Sequence, residues 1–200
     1  MKFGVDFDNT IVSYDGLFEK AAAKTHLDCC GKEAIRDELR SRPDGEVLWQ
    51  ELQSEVYGRL IEEAQVMAGF EDFVNICRAQ DIPIQVVSHK TRLAVQNPLI
   101  DLRNAAISWM RGQGFFDGLG FQESDIFFCE TREEKVQKMK EIGCTHFVDD
   151  LPEVLGHQGF PVDVVRILYS VNPAPGHRFN FQGSWVEITR QFCTESYGFN

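Results

Sequence analysis

Basic residues are scarce in this chain. Lys and Arg number 20 against 31 Asp and Glu, and the formal net charge is -11. That balance argues against nonspecific nucleic-acid binding, which draws on clustered Lys and Arg. It does not exclude an anionic substrate, because a bound cation inverts the local field. Long apolar runs are also missing. Nothing approaches the ~20 residues needed to cross a bilayer, so no membrane association is expected. The opening stretch from Met1 to Asp8 carries Asp6 and Asp8 where a leader peptide would be apolar. The six cysteines, Cys29, Cys30, Cys77, Cys129, Cys144 and Cys193, form no C-x-x-C pair. Zinc and thioredoxin chemistry therefore lack their spacing, and the scatter is unlike a secreted disulfide framework. Reduced thiols and a cytoplasmic location are expected. Repeats and low-complexity segments are absent.

What is present suits one α/β domain with a sizeable insertion. The chain has 200 residues, 43% of them hydrophobic, enough for a core without disulfide staples. Lys2–Phe7 reads as a short strand. Asp15–Gln65 reads as helical, punctuated by Gly31 and by Pro43-Asp44-Gly45 into about three helices. Beyond Gly69 the pattern alternates. Phe70–Ala79, Leu99–Arg111, Glu133–Ile142 and Ser184–Phe192 are helix-like. Ile82–Val87, Ile126–Cys129, Thr145–Val148 and Val164–Tyr169 read as strands, and Asn172–Gly183 as a surface loop. Strands separated by helical crossovers predict a mainly parallel sheet with helices on both faces. The helical block after the first strand is too long for a βα loop. It predicts a cap at 13–68 inserted into a core made of 1–12 and 69–200.

Four elements fall at or just after predicted strand ends, where ligands of open α/β sheets bind. The first is Asp6-Phe7-Asp8-Asn9-Thr10. Two carboxylates two residues apart share a side of an ideal strand, and one can attack phosphorus while the other handles protons. The second is Ser88-His89-Lys90, where a hydroxyl and backbone N–H groups can donate to a phosphate. The third is Lys135, at the start of a helix, a fixed positive charge that can balance a transferring phosphoryl group. The fourth is Asp149-Asp150, whose oxygens suit magnesium. Taken singly, each is also what a plain turn or a solvated charged face shows. Their order and placement together are specific.

Those residues resemble the haloacid dehalogenase superfamily. Its D-x-D-x-T motif is matched by Asp6-Phe7-Asp8-Asn9-Thr10, its serine or threonine by Ser88, its helix lysine by Lys135 and its paired acids by Asp149-Asp150. The match spans residues 6–150 in family order and implies a Rossmann-like α/β core with an α-helical cap. It implies a magnesium-dependent phosphatase acting on a small phosphorylated metabolite. Asp6 would form an aspartyl-phosphate. Asp8 would protonate the leaving group, activate water and give its backbone carbonyl to magnesium. Thr10 would fix the first loop, and Ser88 and Lys135 would hold the phosphoryl group. Asp6, Asp8, Asp149 and Asp150 would form the metal site. An acid at position 8 favours phosphate over halide chemistry. His89 and Lys90 read as substrate-side or as surface residues, and Arg132 or Lys90 stands as an alternative to Lys135. Trp49, Tyr57 and Arg59 read as pocket-facing or as cap packing. The phrases Phe3–Thr10, Val87–Thr91 and Phe147–Pro152 resemble a branch associated with bacterial surface polysaccharides. Two other readings share these residues. One is a phosphotransferase, and the other is a non-catalytic domain that binds a phosphorylated ligand.

Overall fold

The structure is a computed structural model that describes residues 1–25, 27, 30–172 and 179–194. In chain order the strands are β1 (Phe3–Val5), β2 (Val12–Ser13), β3 (Gln65–Val66), β4 (Ile84–His89), β5 (Ile126–Cys129), β6 (His146–Asp149), β7 (Val165–Tyr169) and β8 (Phe181–Gly183). The helices are α1 (Leu17–Ala23), α2 (Lys32–Arg40), α3 (Gly45–Ser54), α4 (Phe70–Ala79), α5 (Leu102–Gly112), α6 (Arg132–Glu141), α7 (Pro152–Leu155) and α8 (Trp185–Thr189). A π-helical turn at Glu55–Arg59 and a 3-10 turn at Leu60–Glu63 follow α3. None of the described helices is long and apolar enough to cross a membrane.

The chain divides into two compact units, 1–12 with 66–89 and 116–200, and 13–65 with 90–115. The first is built on a six-stranded sheet in the order β5-β4-β1-β6-β7-β8, parallel in every pairing. From β1 the chain winds outward through β4 to β5, then returns to build β6, β7 and β8 on the other side. Right-handed crossovers in opposite directions place helices on opposite faces, and the reversal beside β1 is the topological switch point.

Pleating sorts β1 between the two faces. Phe3 points to one of them, 5.0 Å ring to ring from Phe73 of α4, which in turn lies 4.7 Å from Trp185 of α8. Gly4 points to the other. There a Cβ would fall 2.6 Å from both Cys144 Sγ and the Phe147 ring, so only glycine admits their close approach. Phe147 belongs to a core with Val87, Val136, Met139, Val154, Leu155 and Phe160, drawn from β4, α6, α7 and the loop beyond. Helix α4 buries Phe70, Phe73, Val74 and Cys77, the i, i+3, i+4, i+7 stripe of an amphipathic helix.

The expected surface loop Asn172–Gly183 ends instead in β8, paired with β7 from Ile167↔Phe181 to Tyr169↔Gly183. Three residues carry no readable period, so only the sheet edge reveals this strand. Positions 173–178 of that expected loop lie outside the described residues.

The second unit is helical. Asp44 adopts φ 58°, and Gly45 starts α3 so close to α2 that a Cβ would meet Leu39 O at 2.3 Å. This is the punctuation expected at Pro43-Asp44-Gly45. The unit's extent differs from the expected 13–68, because α5 and the segments flanking it group here rather than with 69–200. The cause is packing. The Trp109 indole donates to Ala64 O at 3.0 Å, and Gly58 leaves room for Ile100. Helix α5 starts three residues later than the expected Leu99, where the Asp101 carboxylate accepts the Asn104 N–H at 2.9 Å and caps it.

Candidate active site

Register and pleat bring two carboxylates together at the carboxyl edge of the sheet. Val5 is paired with Val148, and the Asp6 N–H continues that ladder to Val148 O at 2.9 Å. Asp6 therefore lies beside Asp149. Alternation puts Asp6 on the Gly4 side and Asp149 on the Phe147 side, which is the face that α6 covers. Both carboxylates are buried, Asp149 completely.

Helix α6 supplies the counter-charge. Thr131 caps it, with its hydroxyl accepting the Glu134 N–H at 3.1 Å. From that start Lys135, Val136 and Met139 fall on the buried stripe. Lys135 is 1% exposed, and its Nζ donates to Asp6 Oδ1 at 2.5 Å and to Asp149 Oδ2 at 2.6 Å. Burial works against the charge on Lys135, but the Asp149 and Asp6 carboxylates outweigh it and hold the pKa above the ordinary lysine value. Burial pushes the Asp149 carboxyl up to about 6, with Lys135 pulling against it and Asp6 adding to it. The other Asp149 oxygen accepts the Leu151 N–H at 2.9 Å.

Asp150 completes a group of three. One oxygen from each of Asp6, Asp149 and Asp150 lies within 4.8 Å of the others. Asp6 and Asp149 share the Lys135 ammonium, Asp150 brings a third carboxylate to the group, and every donor is a hard oxygen. That set fits a magnesium-sized cation. The Asp8 carboxylate is outside this group, so the expectation that Asp8 contributes to the metal rests on its carbonyl alone.

The loop after β1 turns sharply. Ile11 and Val12 N–H both donate to Phe7 O, and Asn9 adopts φ 57°, a left-handed conformation that asparagine tolerates well. Asp8 is half-buried and bridges to Val12. Thr10 is fully buried, with Oγ1 3.5 Å from Asp150 Oδ1. Trp185, which carries no sequence motif, donates its indole N–H to Thr10 O at 2.8 Å. The visible signal was a capping box, Ser184 with Glu187, that starts α8 at this tryptophan.

Ser88 is buried near the end of β4, in the strand beside β1. His89 is exposed, with Nε2 3.0 Å from Glu130 O. Lys90 is buried and groups with the helical unit, where its carbonyl accepts the Arg103 Nε–H and its ammonium faces the Tyr57 ring. Arg132 is exposed, so Lys135 is the cation that the described residues seat between the acids. Trp49 is buried against Phe18, which makes it packing. Arg59 is exposed and pairs with Glu55.

No protein-family model matches the chain, and no curated protein matches its sequence. Solved structures do match its shape. A HAD hydrolase of family IA, variant 3, from Entamoeba histolytica superposes with a TM-score of 0.62 at 10% identity, covering 97% of each chain. The HAD-hydrolase YfnB from Bacillus subtilis, bound to magnesium, gives 0.61 at 11% identity, over 95% of this chain and 97% of that one. A HAD family hydrolase from Deinococcus radiodurans, with bound phosphate and sodium, gives 0.57 at 11% identity, over 95% and 93%. The chain has the α/β fold of HAD-superfamily hydrolases.

Proposed function

We propose that this chain is a magnesium-dependent phosphatase of a small phosphorylated metabolite, acting in the cytoplasm through an aspartyl-phosphate at Asp6. One observation carries the reading: the Lys135 ammonium is held between Asp6 and Asp149, with Asp150 beside them, at a topological switch point. The fold of phosphate- and magnesium-bound HAD hydrolases supports it.

Asp6, Asp149, Asp150 and the Asp8 carbonyl would hold the magnesium. When bound, it would supply Lewis-acid stabilisation of charge on the phosphoryl oxygens. An Asp6 oxygen attacks phosphorus in line, and the ester oxygen leaves with a proton from Asp8. Asp8 then takes a proton from water as the water oxygen attacks the acyl phosphate. Inorganic phosphate departs and the Asp6 carboxylate is restored. Lys135 steadies the charge that Asp6 shares with the phosphoryl group, and Ser88 donates to a phosphoryl oxygen. Thr10 holds the turn that aims Asp8.

The test is phosphate release from a panel of small esters, glycosyl phosphates included, with and without magnesium. Wild type and Asp6→Asn are compared. Magnesium-dependent release that disappears in Asp6→Asn is the expected result. Full activity in Asp6→Asn overturns the mechanism. Release from no ester moves the assignment to a phosphotransferase that needs its acceptor, or to a binding domain.

A further inference from the structure

On the face of the sheet that carries Phe3, two thiols meet. Cys77 is the last member of the buried stripe of α4, and Cys193 lies in a π-helical turn, Arg190–Thr194, that continues α8. Both belong to the unit built on the six-stranded sheet, and both are fully buried. Their Sγ atoms lie 3.7 Å apart, although 116 positions separate them in the chain. The turn is held from several sides. Gln80 Nε2 donates to Cys193 O at 2.6 Å, and the Phe192 ring meets Phe3 and Phe181 edge-on at 6.3 Å and 5.5 Å.

The two sulfurs are chemically unequal. Contact with Cys193, and burial after it, raise the pKa of Cys77, so Cys77 keeps its proton and donates it. The bond accepted from Cys77 outweighs burial at Cys193 and lowers its pKa. A thiolate is the reactive form of cysteine, which makes Cys193 the sulfur that reacts first. Full burial keeps bulky thiols away from an oxidised Cys193, while Cys77 is already in contact with it. A disulfide is about 2.05 Å long, so about 1.6 Å of sulfur travel closes the pair.

We propose that Cys77 and Cys193 are a peroxide-sensitive dithiol that closes reversibly to a disulfide and staples the end of α8 to α4. The Cys193 thiolate attacks one peroxide oxygen and the O–O bond breaks. Cys193 becomes a sulfenic acid, and the departing hydroxide takes up a proton as water. The Cys77 sulfur then attacks the Cys193 sulfur, the S–O bond breaks, and hydroxide leaves with the Cys77 proton as a second water. The two thiols together lose two electrons and two protons to the peroxide, and a dithiol reductant returns them. In a reducing compartment the pair stays open until peroxide rises. Once closed, the staple fixes the helix whose Trp185 supports Thr10. The proposal is independent of the phosphatase reading.

The test treats the full chain with hydrogen peroxide, alkylates the remaining thiols under denaturing conditions, and maps tryptic peptides by mass spectrometry. Cys77 and Cys193 fall in peptides 60–78 and 191–200, each with a single cysteine. The expected product is these two joined, lighter than their sum by two hydrogens and separated again by dithiothreitol. The oxidised protein should melt about 5–15 °C above the reduced one, because the bond closes a long loop. That shift should vanish in Cys193→Ala and in Cys77→Ala. Recovery of the two peptides unlinked, as thiols or as sulfinic acids, overturns the proposal, and so does a link from either to another cysteine. A linked protein that melts no higher, or a shift that survives in Cys193→Ala, overturns the staple. The map of the wild-type chain decides the pairing even where an alanine variant fails to fold.

Discussion

The indole N–H of Trp185 donates to the backbone carbonyl of Thr10 at 2.8 Å, tying together residues 175 positions apart in the chain. Both partners are fully buried, and Thr10 ends the loop that begins with Asp6 and Asp8. Trp185→Phe keeps most of the packing against Phe70, Phe73 and Tyr169 but leaves that carbonyl without its donor. An orphaned buried acceptor costs about 1–3 kcal/mol. Urea unfolding should show a loss in that range, together with a lower kcat on whichever ester proves to be the substrate. A change below about 0.5 kcal/mol would mean the bond contributes nothing beyond packing.

Lys135→Met should be the most damaging single change in the site. It leaves Asp6 and Asp149 facing each other in a buried position with no counter-charge. Removing one partner of a buried ion pair costs about 3–5 kcal/mol. Turnover should vanish with it. Added magnesium should recover part of the lost melting temperature, because a cation bound only by the native state stabilises it by mass action. A variant with wild-type stability would show that the Lys135 bridge is energetically idle.

Gly4→Ala places a methyl group 2.6 Å from Cys144 Sγ and the Phe147 ring. Overpacking of this kind costs about 1–3 kcal/mol. Phe147→Leu in the same chain opens the space and should recover part of the loss. A double-mutant cycle measures this directly, and additive costs would mean that the two positions do not collide.

Asp101, the cap of α5 in the helical unit, provides a pH test of its own. Its pKa is lowered, first by the Asn104 N–H bond and further by Arg92. A carboxyl with a depressed folded pKa contributes stability above its unfolded value, about 3.9, and loses it as pH falls through the folded value. Asp101→Ala should therefore cost about 0.5–2 kcal/mol at neutral pH, with the gap to wild type narrowing below about pH 4. Asp101→Asn keeps the cap without the charge, so its stability should lack this acid-side fall. Thermal unfolding across pH distinguishes the three proteins.

Much of this arrangement could be read along the chain. A strand that ends in Asp6-x-Asp8 and another that ends in Asp149-Asp150 declare themselves through local alternation and charge. Lys135 was harder. Among Arg132, Glu133 and Glu134 it resembles a solvated face, and only its stripe with Val136 and Met139 marks it as inward. Nothing local marks Trp185 as a support for the Asp6 loop, and the three residues of β8 carry no period. The grouping of 90–115 with 13–65 has no signature along the chain, because α5 has the same period whichever unit it packs on.

Which residue types stand at each strand end, and in what order, is written along the chain, because side-chain alternation and helical period are local properties of the backbone. Which of them meet is set by the packed fold. Asp6, Lys135 and Asp149 come together through the Val5↔Val148 register and the seating of α6 on the Phe147 face. Register and helix docking depend on burying apolar surface between segments far apart in sequence, and no local pattern encodes that.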